Sequence, residues 1–214
     1  MTTRVLAAVP TYDDHIPALT KSLMGLKWKT LTEGDIFLGF DYQRGYDVAR
    51  ARNNIVDQAI REDYDYLFMV DSDMRFKPWI LDKFLEDPVE VCLGYYMHRS
   101  WKEPDSETRT NLCKLDGERN FTHQYTKSEM ADLRNLGLKK FEVHGGGLGC
   151  SFISVETLKK LDWPWFKWTE YKSRHNLSED LFFCKKCWDN GIPVYADARV
   201  GVDHQIKYFA KAID

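Results

Sequence analysis

The chain has 214 residues and a mass of 25.1 kDa, a size that suits one domain and buries most of the apolar surface its unfolded form would expose. Its composition, 43% hydrophobic and 29% charged, is that of an ordinary globular protein and argues against a disordered chain. A net charge of -3, with Lys and Arg scattered among acids, shows no nucleic-acid patch, and no run approaches the ~20 apolar residues of a transmembrane segment.

In chain order, "RVLAAV" is a short β-prone run closed by Pro10, and "PALTKSLMGL" then spaces apolar residues as a helix does. "DIFLGF" repeats the strand signal, "VARARNNIVDQAIRE" the helical one, and "DYLFMV" is a third apolar run bounded by charge. After "KPWILDKFLED", where Pro78 suits a first helical turn, "PVEVCLGYYM" supplies another strand. From about residue 100 to 140 the pattern breaks into polar sequence with one helix, "SEMADLRNLG", and reads as a mobile surface excursion. Order returns at "FEVHGGGLGCSFISVETLKKL", a Gly-rich turn and a helix, and the aromatic "WPWFKW" follows. "SEDLFFCKKCWDNG" is a helix with Ser178 as cap and Gly191 as stop, and "IPVYAD" and "RVGVDH" read as two short strands. Strands alternating with helices predict an α/β fold, a doubly wound, mostly parallel sheet in a single domain over 1–214.

Five cysteines, Cys92, Cys113, Cys150, Cys184 and Cys187, are an odd number in a chain too large to need staples. Free thiols, a reducing compartment and a cytoplasmic location are expected. Cys184 and Cys187 form a C-x-x-C with no second pair, on what reads as a helix face, so neither zinc nor redox chemistry is expected of them.

The run "YLFMVDSDMRF" sets two carboxylates, Asp71 and Asp73, at the end of an apolar strand. In an extended chain residues two apart face the same side, so the pair predicts one acidic tip, with Ser72 turned away. At the carboxyl end of a parallel strand that tip lies where open α/β sheets bind ligands, and hard oxygen ligands suit Mg²⁺ or Mn²⁺. The alternative is a turn whose acids cap the following helix.

"VLAAVPTYD", "ARNN", "VDSDM", "HGGGLG", "SED" and His204 in "VDH" occur in one order. That order resembles the GT-A fold glycosyltransferases, especially the inverting, family 2-like enzymes, over residues 4 to 204, with no counterpart for 100–140. The resemblance implies a Rossmann-like sheet flanked by helices and a metal-dependent transfer of sugar from a nucleotide-diphosphate sugar, UDP- or GDP-linked, to an acceptor hydroxyl. The acceptor class, glycan, lipid, protein or nucleobase, is left open. Asp73 would bind Mn²⁺ or Mg²⁺ directly, Asp71 would contact the ribose or the metal through water, and His204 would complete the shell. Asp180 would be the base and Glu179 its acceptor-orienting neighbour. Pro10, Thr11, Tyr12 and Asp13 would contact base and ribose, with Ser72 also at the donor. Gly146 and Gly147 would lie beside donor and acceptor, and Asp41 is a possible nucleobase reader.

Arg52 or Arg50 can offer bidentate bonds to the diphosphate, while Asn53 can hold the loop or the donor. One helix cannot turn both arginines the same way, so one of them is expected in solvent. Trp163, Trp165, Phe166 and Trp168 suit either sugar stacking or core packing. "HGGGLG" lacks the Lys-Ser/Thr ending of a P-loop and fails the G-x-G-x-x-G spacing. A haloacid-dehalogenase phosphatase is disfavoured by Arg75 and leaves "SED" unexplained, and the Gly-rich signature of sugar-1-phosphate nucleotidyltransferases is absent. The remaining alternative is a non-catalytic nucleotide-sugar-binding or interaction protein of the same fold.

Overall fold

The computed structural model describes residues 2–11, 17–45, 47–98, 108–115, 121, 123–171 and 175–205. Tyr12 and Asp13 lie outside the described residues.

The first half alternates strand and helix as expected: β1 (Thr3–Thr11), α1 (Pro17–Glu33), β2 (Ile36–Arg44), α2 (Val48–Arg61) and β3 (Tyr66–Val70). β4 (Met74–Arg75) and α3 (Ile80–Leu85) precede β5 (Val91–Tyr95); Pro78 stands just ahead of α3 rather than inside it. Next come β6 (Arg109–Cys113), β7 (Gln124–Thr126), α4 (Lys127–Asn135), β8 (Lys140–Val143), β9 (Gly145–Gly146), β10 (Cys150–Ser154) and α5 (Val155–Lys159). The chain ends with β11 (Thr169–Tyr171), β12 (His175–Leu177), α6 (Glu179–Asp189), β13 (Val194–Gly201) and β14 (Asp203–His204).

Seven strands form one sheet in the order β2-β1-β3-β10-β5-β13-β8. β1 pairs parallel to β2 and β3, and β13 parallel to β5, whereas β10 runs against β3 and β5 and β8 against β13. The sheet is therefore mostly parallel, with β10 reversed in its middle. Strands buried on both faces read as unbroken apolar runs, which is why "VLAAV" and "LFMV" were recognisable.

Each face carries its own core. Leu19, Leu23 and Leu26 of α1, spaced at helical intervals, pack with Ile80, Leu81 and Phe84 of α3 against Val5, Ala7, Phe68, Val70 and Phe152. Ile55, Val56 and Ala59 of α2, Val155 and Leu158 of α5 and Phe183 and Cys187 of α6 cover Leu6, Ala8, Leu67, Met69 and Leu93 on the other side. Burial contributes about 1.5–3 kcal/mol for each large apolar side chain. All five cysteines are buried. Burial pushes the Cys187 thiol up to about 12, so this C-x-x-C packs as core. No helix among the described residues is long and apolar enough to cross a membrane.

Two expectations need correction. The excursion is not wholly a surface feature: Thr110, Asn111, Leu112 and Cys113 of β6 are buried, because β6 pairs with β7 and β9 and Thr110 bridges Met97. The polar "RTNLC" hid this strand from any apolar pattern. "IPVYAD" and "RVGVDH" are also not two equal strands, since β13 runs through Asp197. That carboxylate is fully buried but accepts from the Arg199 backbone N–H at 2.9 Å, Nε at 2.9 Å and Nη2 at 2.7 Å, and a satisfied charge need not break a strand.

Candidate functional site

The parallel strands β1, β3, β5 and β13 all end at one edge of the sheet, and the chain leaving each of them supplies a residue there. Pro10 and Thr11 close β1, Asp71 follows β3, Tyr96 follows β5, and His204 lies just past β13. The reversed β10 begins at the same edge, which brings Gly149 beside Asp71: the Asp71 N–H donates to the Gly149 carbonyl at 3.0 Å.

The "DSD" run does not extend β3. The Met74 N–H donates to the Asp71 carbonyl at 3.2 Å, so residues 71–74 form a turn, and strand alternation no longer aligns the two acids. Asp71 Oδ1 accepts from Arg52 Nη2 at 3.0 Å. Asp73 Oδ2 lies 3.4 Å from His204 Nε2. His204 Nδ1 sits 3.1 Å from the Met97 carbonyl, and a carbonyl only accepts, so Nδ1 carries the proton. With Nδ1 held by that carbonyl, His204 turns Nε2 toward Asp73, and a backbone carbonyl on the other ring nitrogen is the arrangement that orients a metal-ligating histidine.

Arg52 corrects a second expectation. It is 1% exposed and is not a free diphosphate clamp. Its Nη1 bonds Asp180 Oδ1, its Nη2 bonds Asp71 as above, and its Nε lies 3.9 Å from Glu179 Oε1. Three carboxylates and a guanidinium thus join the β3 turn to the start of α6, while Arg50 on the same helix is exposed.

Glu179 and Asp180 stand in the first turn of α6, which Ser178 caps by accepting from the Leu181 N–H at 3.4 Å. Burial pushes the Asp180 carboxyl up to about 7; Arg52 pulls it down, and the charges of Glu179 and Asp71 push it up again. Its side chain keeps 18% exposure, so a ligand can reach it. Burial also raises the Tyr96 phenol well above its ordinary range, reinforced by Asp71 and Asp180.

The remaining residues hold the edge in shape. Asn53 accepts from the Trp165 and Phe166 N–H groups at 2.9 and 3.1 Å and donates to the Phe166 carbonyl at 2.8 Å, so it holds the loop. Trp165 and Phe166 are core residues, while Trp163 at 73% and Trp168 at 52% exposure remain available for stacking. Gly146 is buried, and a Cβ there would stand 2.7 Å from the Asn111 carbonyl oxygen; it and Gly147 serve close packing of the loop on Asn111 and Tyr96. Ser72 is half-buried in the turn, and Asp41 on β2 accepts from Gln43 Nε2 at 2.8 Å.

Sequence reasoning missed Asn111 and Tyr96. Asn111 Oδ1 accepts from the Tyr96 N–H at 2.9 Å and its Nδ2 donates to the carbonyls of Gly147 at 2.9 Å and Gly94 at 3.2 Å, tying the glycine loop to β5. Neither belongs to a motif, and a lone buried Asn carries no sequence signal. Beside the Asp73–His204 pair lies a cavity of about 250 Å³. Among the described residues no group of three or more His, Cys, Asp or Glu could hold a metal unaided.

Comparison with protein-family models gives no match, and comparison with curated proteins gives none either. Among solved structures, A197 from STIV is 20% identical over 99% of each chain, with a TM-score of 0.53. GalNAc-T7, crystallised with UDP, GalNAc and Mn²⁺, is 10% identical with a TM-score of 0.56; the alignment covers 95% of this chain and 44% of that one. The chain therefore spans under half the length of GalNAc-T7, and at these identities the likeness is one of architecture. With five of seven sheet strands running one way and Asp71, Tyr96 and His204 at their carboxyl edge, this chain has a GT-A type fold.

Proposed function

We propose that the protein is a metal-dependent glycosyltransferase that moves a sugar from a nucleotide-diphosphate sugar to an acceptor hydroxyl with inversion, using Asp180 as the base. The observation that carries this reading is the division of labour among carboxylates at one sheet edge. Asp73 faces an oriented histidine, while Asp180 is half-buried at a helix start with its carboxyl pushed up to about 7.

The donor set fits a hard divalent cation. Mg²⁺ and Mn²⁺ are ordinarily held by one or two carboxylates with substrate phosphates and water, so the lack of a three-residue cage is compatible with the reading. Asp73 and His204 Nε2 would hold the ion, and Asp71, whose Oδ1 is engaged by Arg52, would act through water or on the ribose. Such an ion supplies Lewis-acid stabilisation of the charge that develops on a diphosphate leaving group. GalNAc-T7, crystallised with UDP and Mn²⁺, supports the same ligand classes here.

The chain's own residues perform the rest. A base works best when its pKa lies near the working pH, and Asp180 at about 7 meets that condition. Arg52 fixes the carboxylate's orientation, and a carboxylate has about four acceptor sites, so these bonds leave capacity for the acceptor hydroxyl's proton. Glu179, Trp163 and Trp168 would orient the acceptor.

The test is a thermal-shift panel of UDP, GDP and CDP with and without Mn²⁺, followed by donor hydrolysis and transfer. One nucleotide should raise the melting temperature only with Mn²⁺, because a ligand selective for the native state stabilises it. Asp180→Asn should keep that shift and lose roughly 10²-fold or more in turnover. Normal transfer by Asp180→Asn would remove the base assignment. A nucleotide shift without turnover would favour a non-catalytic sugar-nucleotide binder, and no shift with any nucleotide would end the reading.

A further inference from the structure

A diphosphate delivered to this edge meets Asp71, Asp73, Glu179 and Asp180, and the nearest buried cation, Arg52, is committed to three of them. A divalent ion at Asp73 and His204 would offset part of the ligand's charge, and a side-chain cation at the same place would add to it. The cavity beside the metal-binding pair is lined by Ala18, Asp73, Arg75, Asp203, His204 and Gln205, and Arg75 is the permanently charged cation among them. We propose that Arg75 is the diphosphate-binding residue and that it leaves Asp203 to bind this group. The proposal rests on the reading that the site takes a nucleotide-diphosphate sugar.

The short ribbon of β4 and β14 sets the geometry. Arg75 is directly opposite Asp203 and Met74 opposite His204 in an antiparallel pairing. The register puts Arg75 and Asp203 on one face of the ribbon, and the cavity at its edge is lined by both of them together with His204 on the next rung and Asp73, the residue before β4. The Gln205 N–H donates to the Asp73 carbonyl at 2.9 Å, which ties the ribbon's end back to the turn.

Arg75 is parked rather than locked. Its Nε and Nη2 both donate to one oxygen, Asp203 Oδ2, at 2.9 and 2.6 Å, so a planar fork built for two acceptors is served by a single atom. The side chains of Arg75 and Asp203 are 63% and 68% exposed, and exposed pairs of this kind contribute about 0–1 kcal/mol. A diphosphate presents several oxygens and more charge, and satisfies the fork better than Asp203 does. The cavity volume of about 250 Å³ equals roughly eight water molecules at liquid density, enough for such a group. Without a bound cation, Asp73 and Asp203 outweigh Arg75 in charge, so the subsite should take anions only together with a divalent ion.

The test is isothermal titration of the full chain with inorganic pyrophosphate in Mn²⁺, with melting curves as fold controls. Wild type should bind, and Arg75→Gln should bind about tenfold or more weakly. Arg75→Lys should be intermediate, because it keeps the charge and loses the fork. Asp203→Asn should bind several-fold more tightly, because the competing carboxylate is gone. Equal affinity in wild type and Arg75→Gln, no binding by wild type, or weakened binding in Asp203→Asn would each overturn the proposal. Pyrophosphate carries neither sugar nor base, so Arg75-dependent binding in a chain that transfers no sugar would sink the functional reading and leave this one standing.

Discussion

Arg52 is the residue on which the site's electrostatics turn. A guanidinium that is 1% exposed and set among Asp71, Glu179 and Asp180 has been taken out of water at a cost of several kcal/mol, offset only while its partners are present. Removing it leaves three carboxylates in mutual repulsion. Arg52→Met should destabilise the fold by about 3–5 kcal/mol near pH 8, and the loss should depend on pH in a definite direction. Asp180 in the folded chain holds its proton up to about 7, whereas an unfolded Asp releases it near ~3.9. The folded state therefore binds more protons, and this group's contribution to stability falls as pH rises between those values. Without Arg52 the folded Asp180 would hold its proton to still higher pH, and the fall would continue further. Denaturant midpoints of wild type and Arg52→Met should accordingly fall in parallel from about pH 5 to pH 6 and diverge as pH passes about 7, and a constant difference up to about pH 8 would contradict this account. Arg52 was legible as a site residue from "ARNN", but not its task, because a helix periodicity reports which way a side chain points and not which distant acids wait there.

Helix α2 also carries Asn53, whose amide ties an element to a loop more than a hundred residues away in sequence. Its Oδ1 accepts from the Trp165 and Phe166 N–H groups and its Nδ2 donates to the carbonyls of Ala49 and Phe166. Asn53→Ala would leave the two loop N–H groups without these bonds, at about 1–3 kcal/mol for each buried one. A destabilisation of roughly 2–4 kcal/mol is expected. Hydrogen exchange at Trp165 and Phe166 should accelerate more than at β3, so uniform acceleration would mean that Asn53 supports the whole fold rather than this loop. Elements whose ends are set by local chemistry were readable from the chain. Ser178 caps α6, and Gly191 follows that helix with φ at 70°, a conformation glycine adopts without penalty. The "DSD" run could be read as a strand tip or as a turn, and the chain could not decide between them, because the Gly149 carbonyl that anchors Asp71 depends on where β10 lies, which is a tertiary fact.

At the scale of the molecule, the alternation of apolar runs and helical periods was enough to foresee a doubly wound sheet, since each βαβ unit is local. The insertion of β10 between β3 and β5, against their direction, was not foreseeable, because "CSFIS" carries no mark of its partners. Yet this strand joins the two halves of the sheet, and the contact that admits it is narrow. A Cβ on Gly94 of β5 would stand 2.6 Å from Cys150 Sγ, 3.2 Å from Cys150 Cβ and 3.0 Å from a Val200 methyl carbon, so the closeness of β5, β10 and β13 requires glycine at that point. Gly94→Ala should cost about 1–3 kcal/mol through overpacking. Cys150→Ala alone should cost on the order of 1 kcal/mol for the lost sulfur and the space it leaves. Because the sulfur is the atom most in the way, the double variant should be more stable than the sum of the single losses predicts, with a coupling of about 0.5–3 kcal/mol. Urea midpoints of the four proteins measure that coupling directly. Strict additivity would show that the strain of Gly94→Ala is relieved elsewhere, by Val200 or by separation of β5 from β13, and that β10 is not the strand that limits how closely the sheet's halves approach.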